Sequence, residues 1–213
     1  EEFLKLFMGG YAQKVWPLLL DYGLDRFLVP LSGPEVNDGT GIQTMIQFGL
    51  RNTDNRIAIG KPVTPAYLFA VFLWGPMREQ WKANTDTGMD PAPALQKAIH
   101  YTIQRQAQHT SIPKRFSQPM REIWELQTRL PNRSIKRCQT LVQHPRFRAA
   151  YDLLLLREEA GETEPGLGQW WTDYQEADEE SRTQMCQSLG NRNPKRRRRY
   201  KNRRRSTPPN DPS

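Results

Sequence analysis

The chain is short of most things that catalysis, membranes or disulfide scaffolds require. Of its 213 residues only two are cysteine, Cys138 and Cys186, and they form no spacing pattern. A chain of this size does not need staples, so two free thiols in a reducing compartment, and a cytoplasmic location, are expected. The apolar run from Tyr67 to Trp74 falls far short of the roughly 20 residues that span a bilayer. No stretch alternates apolar and polar residues for long, which leaves little room for strands. There is no G-x-S-x-G and no Asp-x-Asp, so the sequence displays neither a nucleophile elbow nor the usual carboxylate pair for two magnesium ions. His100, His109 and His144 are scattered with the cysteines, without zinc-ligand spacing. Gly39-Thr40-Gly41 begins like a dinucleotide loop, but Thr44 stands where a third glycine is needed and no strand precedes it.

What is abundant is positive charge, and it is concentrated. From residue 191 to 213 there are ten Lys or Arg and one acidic residue, which leaves 21 basic and 22 acidic residues in the rest. The net charge of +8 therefore belongs to a C-terminal arm. Its cations are Arg192, Lys195, Arg196, Arg197, Arg198, Arg199, Lys201, Arg203, Arg204 and Arg205, with Tyr200 as the one aromatic residue. Such a segment buries too little apolar surface to offset its ordering entropy and is expected to be disordered, with a reach of about 25 Å. Eight of the ten cations are arginine, whose planar guanidinium holds two phosphate oxygens or lies on a base, so nucleic acid is the expected partner. Neutralising about five RNA phosphates predicts a log-log salt slope near −3.5, or roughly a hundredfold weakening between 50 and 200 mM salt. A solubilising or localising tail is the plainer alternative.

A second basic group lies inside the foldable part: Lys114, Arg115, Arg121, Arg129, Arg133, Lys136, Arg137, Arg146 and Arg148. With Phe116, Trp124 and Phe147 interleaved, it resembles a cationic groove with stacking rings, the device that grips single strands without reading them. The competing reading makes the rings core residues and the charges a solvated helix face. Trp170 and Trp171 are expected to clamp the bundle.

The predicted fold class is all-α, an irregular helical bundle with a disordered basic C-terminal tail. Glu1 to Tyr22 reads as a helical pair broken at Gly9-Gly10 and kinked at Pro17, and Pro30, Gly33, Pro34 and Gly39 mark a loop. Gly41 to Asn55 is a short helix. Thr64-Pro65 and Asp90-Pro91 place a cap residue before a first-turn proline, opening helices to about Trp81 and His109. Ser111 or Ser117 is expected to cap a helix ending near Leu130 that buries Phe116, Met120, Ile123 and Trp124. Ser134 and Pro145 open two more, the second facing Phe147, Tyr151, Leu154 and Leu155 inward. Gly161 to Gly168 is a break before a last, acidic helical segment from Leu167 to Leu189.

Three stretches carry a resemblance. Glu2-Phe3-Leu4-Lys5-Leu6-Phe7 with Gly10 and Tyr22-Gly23-Leu24 is similar to the neck helices of the bacterial poly(A) polymerases, a branch of the nucleotidyltransferases that also contains the tRNA CCA-adding enzymes. Leu50 with Thr53-Asp54, Arg56-Ile57 and Pro65-Ala66-Tyr67-Leu68-Phe69-Ala70 resembles the beginning of their body. Residues 112–127, with Ile112-Pro113-Lys114-Arg115-Phe116, and residues 144–154, with His144-Pro145-Arg146-Phe147-Arg148, resemble their arginine-rich C-terminal region. The Gly-Gly and Arg-Asp signatures of the family's catalytic head have no counterpart.

The resemblance implies four stretches: residues 1–33 as the end of an RNA-binding neck, 34–163 as an arginine-rich body, 164–190 as an acidic helical segment with a Trp pair, and 191–213 as the tail. It also implies a part in adding AMP residues from ATP, with magnesium, to RNA 3′ ends. This chain would hold single-stranded RNA, an absent N-terminal head would supply the chemistry, and RNA-decay proteins are possible partners. The alternative from another class is an adaptor whose tail docks on acidic proteins, ribosomes or anionic lipid.

Overall fold

The computed structural model describes residues 2–32 and 41–190. The basic tail, and with it every cation from Arg192 to Arg205, lies outside the described residues, as do Glu1 and Gly33, Pro34 and Gly39 of the expected loop. Among the described residues there are helices and turns and no strand, in agreement with the all-α reading.

Helices α1 (Glu2–Phe7) and α2 (Ala12–Asp21) are separated at Gly9-Gly10, where Gly10 takes φ 84°, a left-handed value that suits glycine. α2 continues through Pro17, its sixth residue, as the helix Lys114–Gln127 continues through Pro119. α3 (Asp25–Leu28) and a 3-10 turn at Pro30–Ser32 lead to α4 (Ile42–Ala58). Next come α5 (Pro65–Phe72), α6 (Trp74–Asp86), α7 (Pro91–Ala107), α8 (Lys114–Gln127), α9 (Ile135–Val142), α10 (Phe147–Glu159), α11 (Leu167–Glu176) and α12 (Glu179–Gly190).

α5 is the hub because it is apolar on every side: Ala66 through Phe72 are all buried. It packs against α4, α8 and α10. The N-terminal helices reach it through rings, with Phe3 stacked on Phe69 at 4.6 Å and Trp16 edge-on to Phe72 at 5.1 Å. α6 and α7 lie side by side, and α10 contacts α4, α8, α9 and α11. Buried residues from Phe3 to Cys186 join in one hydrophobic core.

Four expectations need correction. The helix opened by Thr64-Pro65 ends at Phe72, and Trp74 begins another; Pro76 falls in the first turn of α6, where its missing amide hydrogen is harmless. Thr64 and Asp90 do occupy cap positions, but neither side chain makes a capping hydrogen bond. Neither Ser111 nor Ser117 caps α8, which starts directly after Pro113 and contains Ser117. The segment from Leu167 to Leu189 is two helices, divided where Ala177 is extended and Asp178 accepts the Ser181 amide at 2.8 Å.

Candidate nucleic-acid interface

The interleaved rings belong to the interior. Trp124 is fully buried and donates its indole N–H to the Ala70 carbonyl at 3.0 Å, and Phe147 is 5% exposed. Phe116 is partly buried, within 6.5 Å of Phe69. Trp171 closes the far end, donating to the Leu130 carbonyl at 3.1 Å, while Trp170 is stacked on Tyr174 at 5.1 Å. The reading of these rings as bundle-building residues fits the structure.

The cations divide into three situations. Lys114, Arg115, Arg129, Lys136 and Arg137 are exposed. Neither these nor the half-buried Arg121 has a carboxylate within ion-pairing distance among the described residues. Lys114 and Arg115 form the first turn of α8, the end where the helix dipole disfavours positive charge, so helix stability does not explain them. Arg133 lies over the Trp170 ring at 5.1 Å with its Nε buried and unpartnered, an arrangement that serves packing. Lys136 borders a second cleft, of about 500 Å³, between α9 and α12.

Arg146 and Arg148 are the two that enter a built site. His144 accepts the Arg146 amide on Nδ1 at 3.1 Å and its carbonyl accepts the Phe147 amide, which sets the turn at the start of α10. The turn points both arginines into a cleft of about 440 Å³ between α10, α4 and the loop before α5. Arg146 Nε is 3.3 Å from Glu122 on α8, and Arg148 Nε is 3.0 Å from Asp152 one turn along. Arg56, from α4, also reaches Asp152, at 3.9 Å, and donates to the Pro62 carbonyl at 3.1 Å. Two of the three arginines thus share one carboxylate in the cleft, and the third, Arg146, is paired with Glu122 at its edge. Burial raises the Asp152 carboxyl above its ordinary value, even against the opposing pull of Arg148 and Arg56.

Tyr67 forms the floor. The residue is 7% exposed, and its hydroxyl has no hydrogen-bond partner. Burial, reinforced by Asp152, lifts the phenol well above its ordinary value, so it stays protonated. Arg56 and Tyr67 are absent from the basic group read in the sequence. Cation density marks out residues 114–148, and nothing in spacing extends that group back to Arg56; Tyr67 is hidden in an apolar run.

Residues 87–205 match the polymerase A arginine-rich C-terminus. The chain belongs to that family. Its α8, α9 and α10, with Arg146 and Arg148, fall inside the matched stretch, and Arg56 and Tyr67 lie before it. The chain is 36% identical over 180 residues to the poly(A) polymerase I of Escherichia coli O6:H1, which covers 82% of this chain and 39% of that protein. It is 35% identical over 211 residues to the poly(A) polymerase I of Salmonella typhimurium, covering 97% and 45%, and 33% identical over 205 residues to that of Haemophilus influenzae, covering 94% and 45%. This poly(A)-polymerase-related chain therefore spans less than half the length of the curated relatives it matches. None of its described helices is long and apolar enough to cross a membrane, and no cluster of metal-ligating side chains occurs among the described residues.

Proposed function

We propose that this chain is the RNA-holding part of a bacterial poly(A) polymerase. It keeps a 3′ end near a catalytic head that adds AMP residues from ATP with magnesium. The observation that carries the reading is the distribution of positive charge on a chain of this family: an arm of ten cations and an unpaired basic surface at the start of α8 and along α9. A polymerase that adds one nucleotide at a time gains from a surface that slows product release without reading bases.

The N-terminal helices support the idea of a partner segment. Of the seven large apolar side chains left exposed among the described residues, five lie between Tyr11 and Phe27: Tyr11, Leu18, Tyr22, Leu24 and Phe27. Exposed apolar side chains concentrated on one stretch of the chain suit a surface that is covered in the whole protein, and we assign that role to the catalytic head.

The test joins this chain to a family head and removes residues after Asn191. Retention predicts shorter tails per encounter, together with a salt slope near −3.5 for RNA binding by the intact chain. Unchanged tail length and a flat salt response would overturn it. Competition by acidic protein as effective as by RNA would point to the adaptor.

A further inference from the structure

The cleft between α10 and α4 is more than a place where phosphates meet arginines. We infer that it seats one nucleotide unit of single-stranded RNA, the phosphate held by Arg146, Arg148 and Arg56 and the nucleoside resting over Tyr67 against the cleft's apolar walls. The inference rests on the RNA-holding reading and deepens it by naming a subsite.

Five observations converge. The volume, about 440 Å³, is in the range of small-molecule sites, roughly 300–1,000 Å³, and far exceeds what a bare phosphate needs. The charge is unbalanced, because Asp152 answers both Arg148 and Arg56. The side chains of Arg148 and Arg146 remain 61% and 37% exposed, so beyond their Nε pairs with Asp152 and Glu122 they can still meet an incoming anion. The walls combine Pro62, Val63, Pro145 and Leu155 with the amides of Asn52 and Asn55, and an asparagine amide can hydrogen-bond a base edge.

The fifth observation is the Tyr67 hydroxyl. A buried hydroxyl without a partner costs stability and is rare in a folded protein. The charged groups that act on it, Asp152, Arg56 and Arg148, all line the cleft with Tyr67 itself, so the unsatisfied hydroxyl lies just beneath the cleft wall, where a bound nucleotide would have to draw it out to satisfy it. A tyrosine kept only for packing would do as well as phenylalanine.

That contrast supplies the experiment. The full chain is titrated with 5′-AMP, adenosine and inorganic phosphate by calorimetry, and with a 20-residue oligoadenylate at low salt. AMP is expected to bind more tightly than either fragment and to compete with the oligomer's local contacts. Tyr67→Phe should melt at or above the parent's temperature, because no bond in the free protein is lost, yet bind AMP about fivefold more weakly. Arg148→Gln should weaken AMP about tenfold or more. Phosphate binding as well as AMP, or both variants titrating like the parent while the oligomer still binds, would overturn the nucleotide seat and leave RNA holding intact. Failure of the oligomer itself to bind would overturn both.

Discussion

Helix α10 carries an arginine near each end, and the two are used in opposite ways. Arg157, at the C-terminal end, is enclosed: its guanidinium lies over the Trp74 ring at 4.6 Å, donates to Gln127 at 3.0 Å and pairs with Glu162 at 3.3 Å. Glu162, with its side chain 4% exposed, also accepts from Arg78 and from the Trp74 indole. Gln127 completes the group by donating to the Ala150 carbonyl at 2.8 Å. Burial lowers the Arg157 pKa from its ordinary value and Glu162 opposes the shift, as expected of a desolvated but paired cation. At the other end Arg148 shares one carboxylate with Arg56, above a tyrosine hydroxyl that has no partner. A satisfied network holds a fold together, while an unsatisfied one is poised for something that arrives.

The comparison breaks most visibly at Glu162. Glu162→Ala strands Arg157, Arg78 and the Trp74 indole around an empty space and is expected to cost about 3–5 kcal/mol, the range for half of a buried ion pair. Urea denaturation measures it. A loss under about 1 kcal/mol would mean that the enclosed end is no more structural than the open one.

Packing at the enclosed end can be probed without touching charge. Gly49 on α4 faces α5 and α10 so closely that an added Cβ would lie 2.9 Å from Val71 Cγ1 and 3.2 Å from Leu156 Cδ1. Val71 is β-branched and stiff, so Gly49→Ala is expected to destabilise by about 1–3 kcal/mol. Thermal melting that is unchanged would show that α10 can shift there, and that its rigidity comes from the ion network alone.

Helix α4 sharpens the contrast, since neighbouring residues face different tasks. Asn52 and Asn55 line the open cleft. Asp54 turns the other way and accepts the Ala12 and Gln13 amides at 2.8 and 2.9 Å, capping α2 from 42 and 41 residues away. Asp54→Ala should cost about 1 kcal/mol and leave AMP binding as it was. Asn52→Ala and Asn55→Ala should reverse that pattern.

Much of this architecture was legible because its signals are local. Thr64-Pro65 and Asp90-Pro91 start helices where a cap residue followed by proline should, and Gly9-Gly10 interrupts where glycine pairs do. The signals that divide the remaining helices are local too. Asp178 before Glu179 and Glu180 is a cap followed by acidic first-turn residues, a start signal inside the acidic helical segment. Gly75-Pro76 similarly announced a new first turn. The cleft is different in kind. Arg56, Tyr67, Arg148 and Asp152 come from three helices, and only the packing of α4 and α5 on α10 brings them together. Charge density along the chain could find Arg146 and Arg148, but it could not separate them from Arg133, which packs on Trp170.

The smallest stability effect is expected where the effect on binding is largest. Arg148 is exposed, and its pair with Asp152 is of the solvent-screened i,i+4 kind worth about 0.3–0.5 kcal/mol. Arg148→Gln should therefore shift the urea midpoint by no more than that, while Glu162→Ala, in the enclosed network at the far end of α10, shifts it several-fold further. If Arg148→Gln instead destabilised the chain by 2 kcal/mol or more, roughly what a buried charged hydrogen bond contributes, the open end would be as structural as the closed one. The exposure of its guanidinium would then be a packing detail, with no vacancy for an anion.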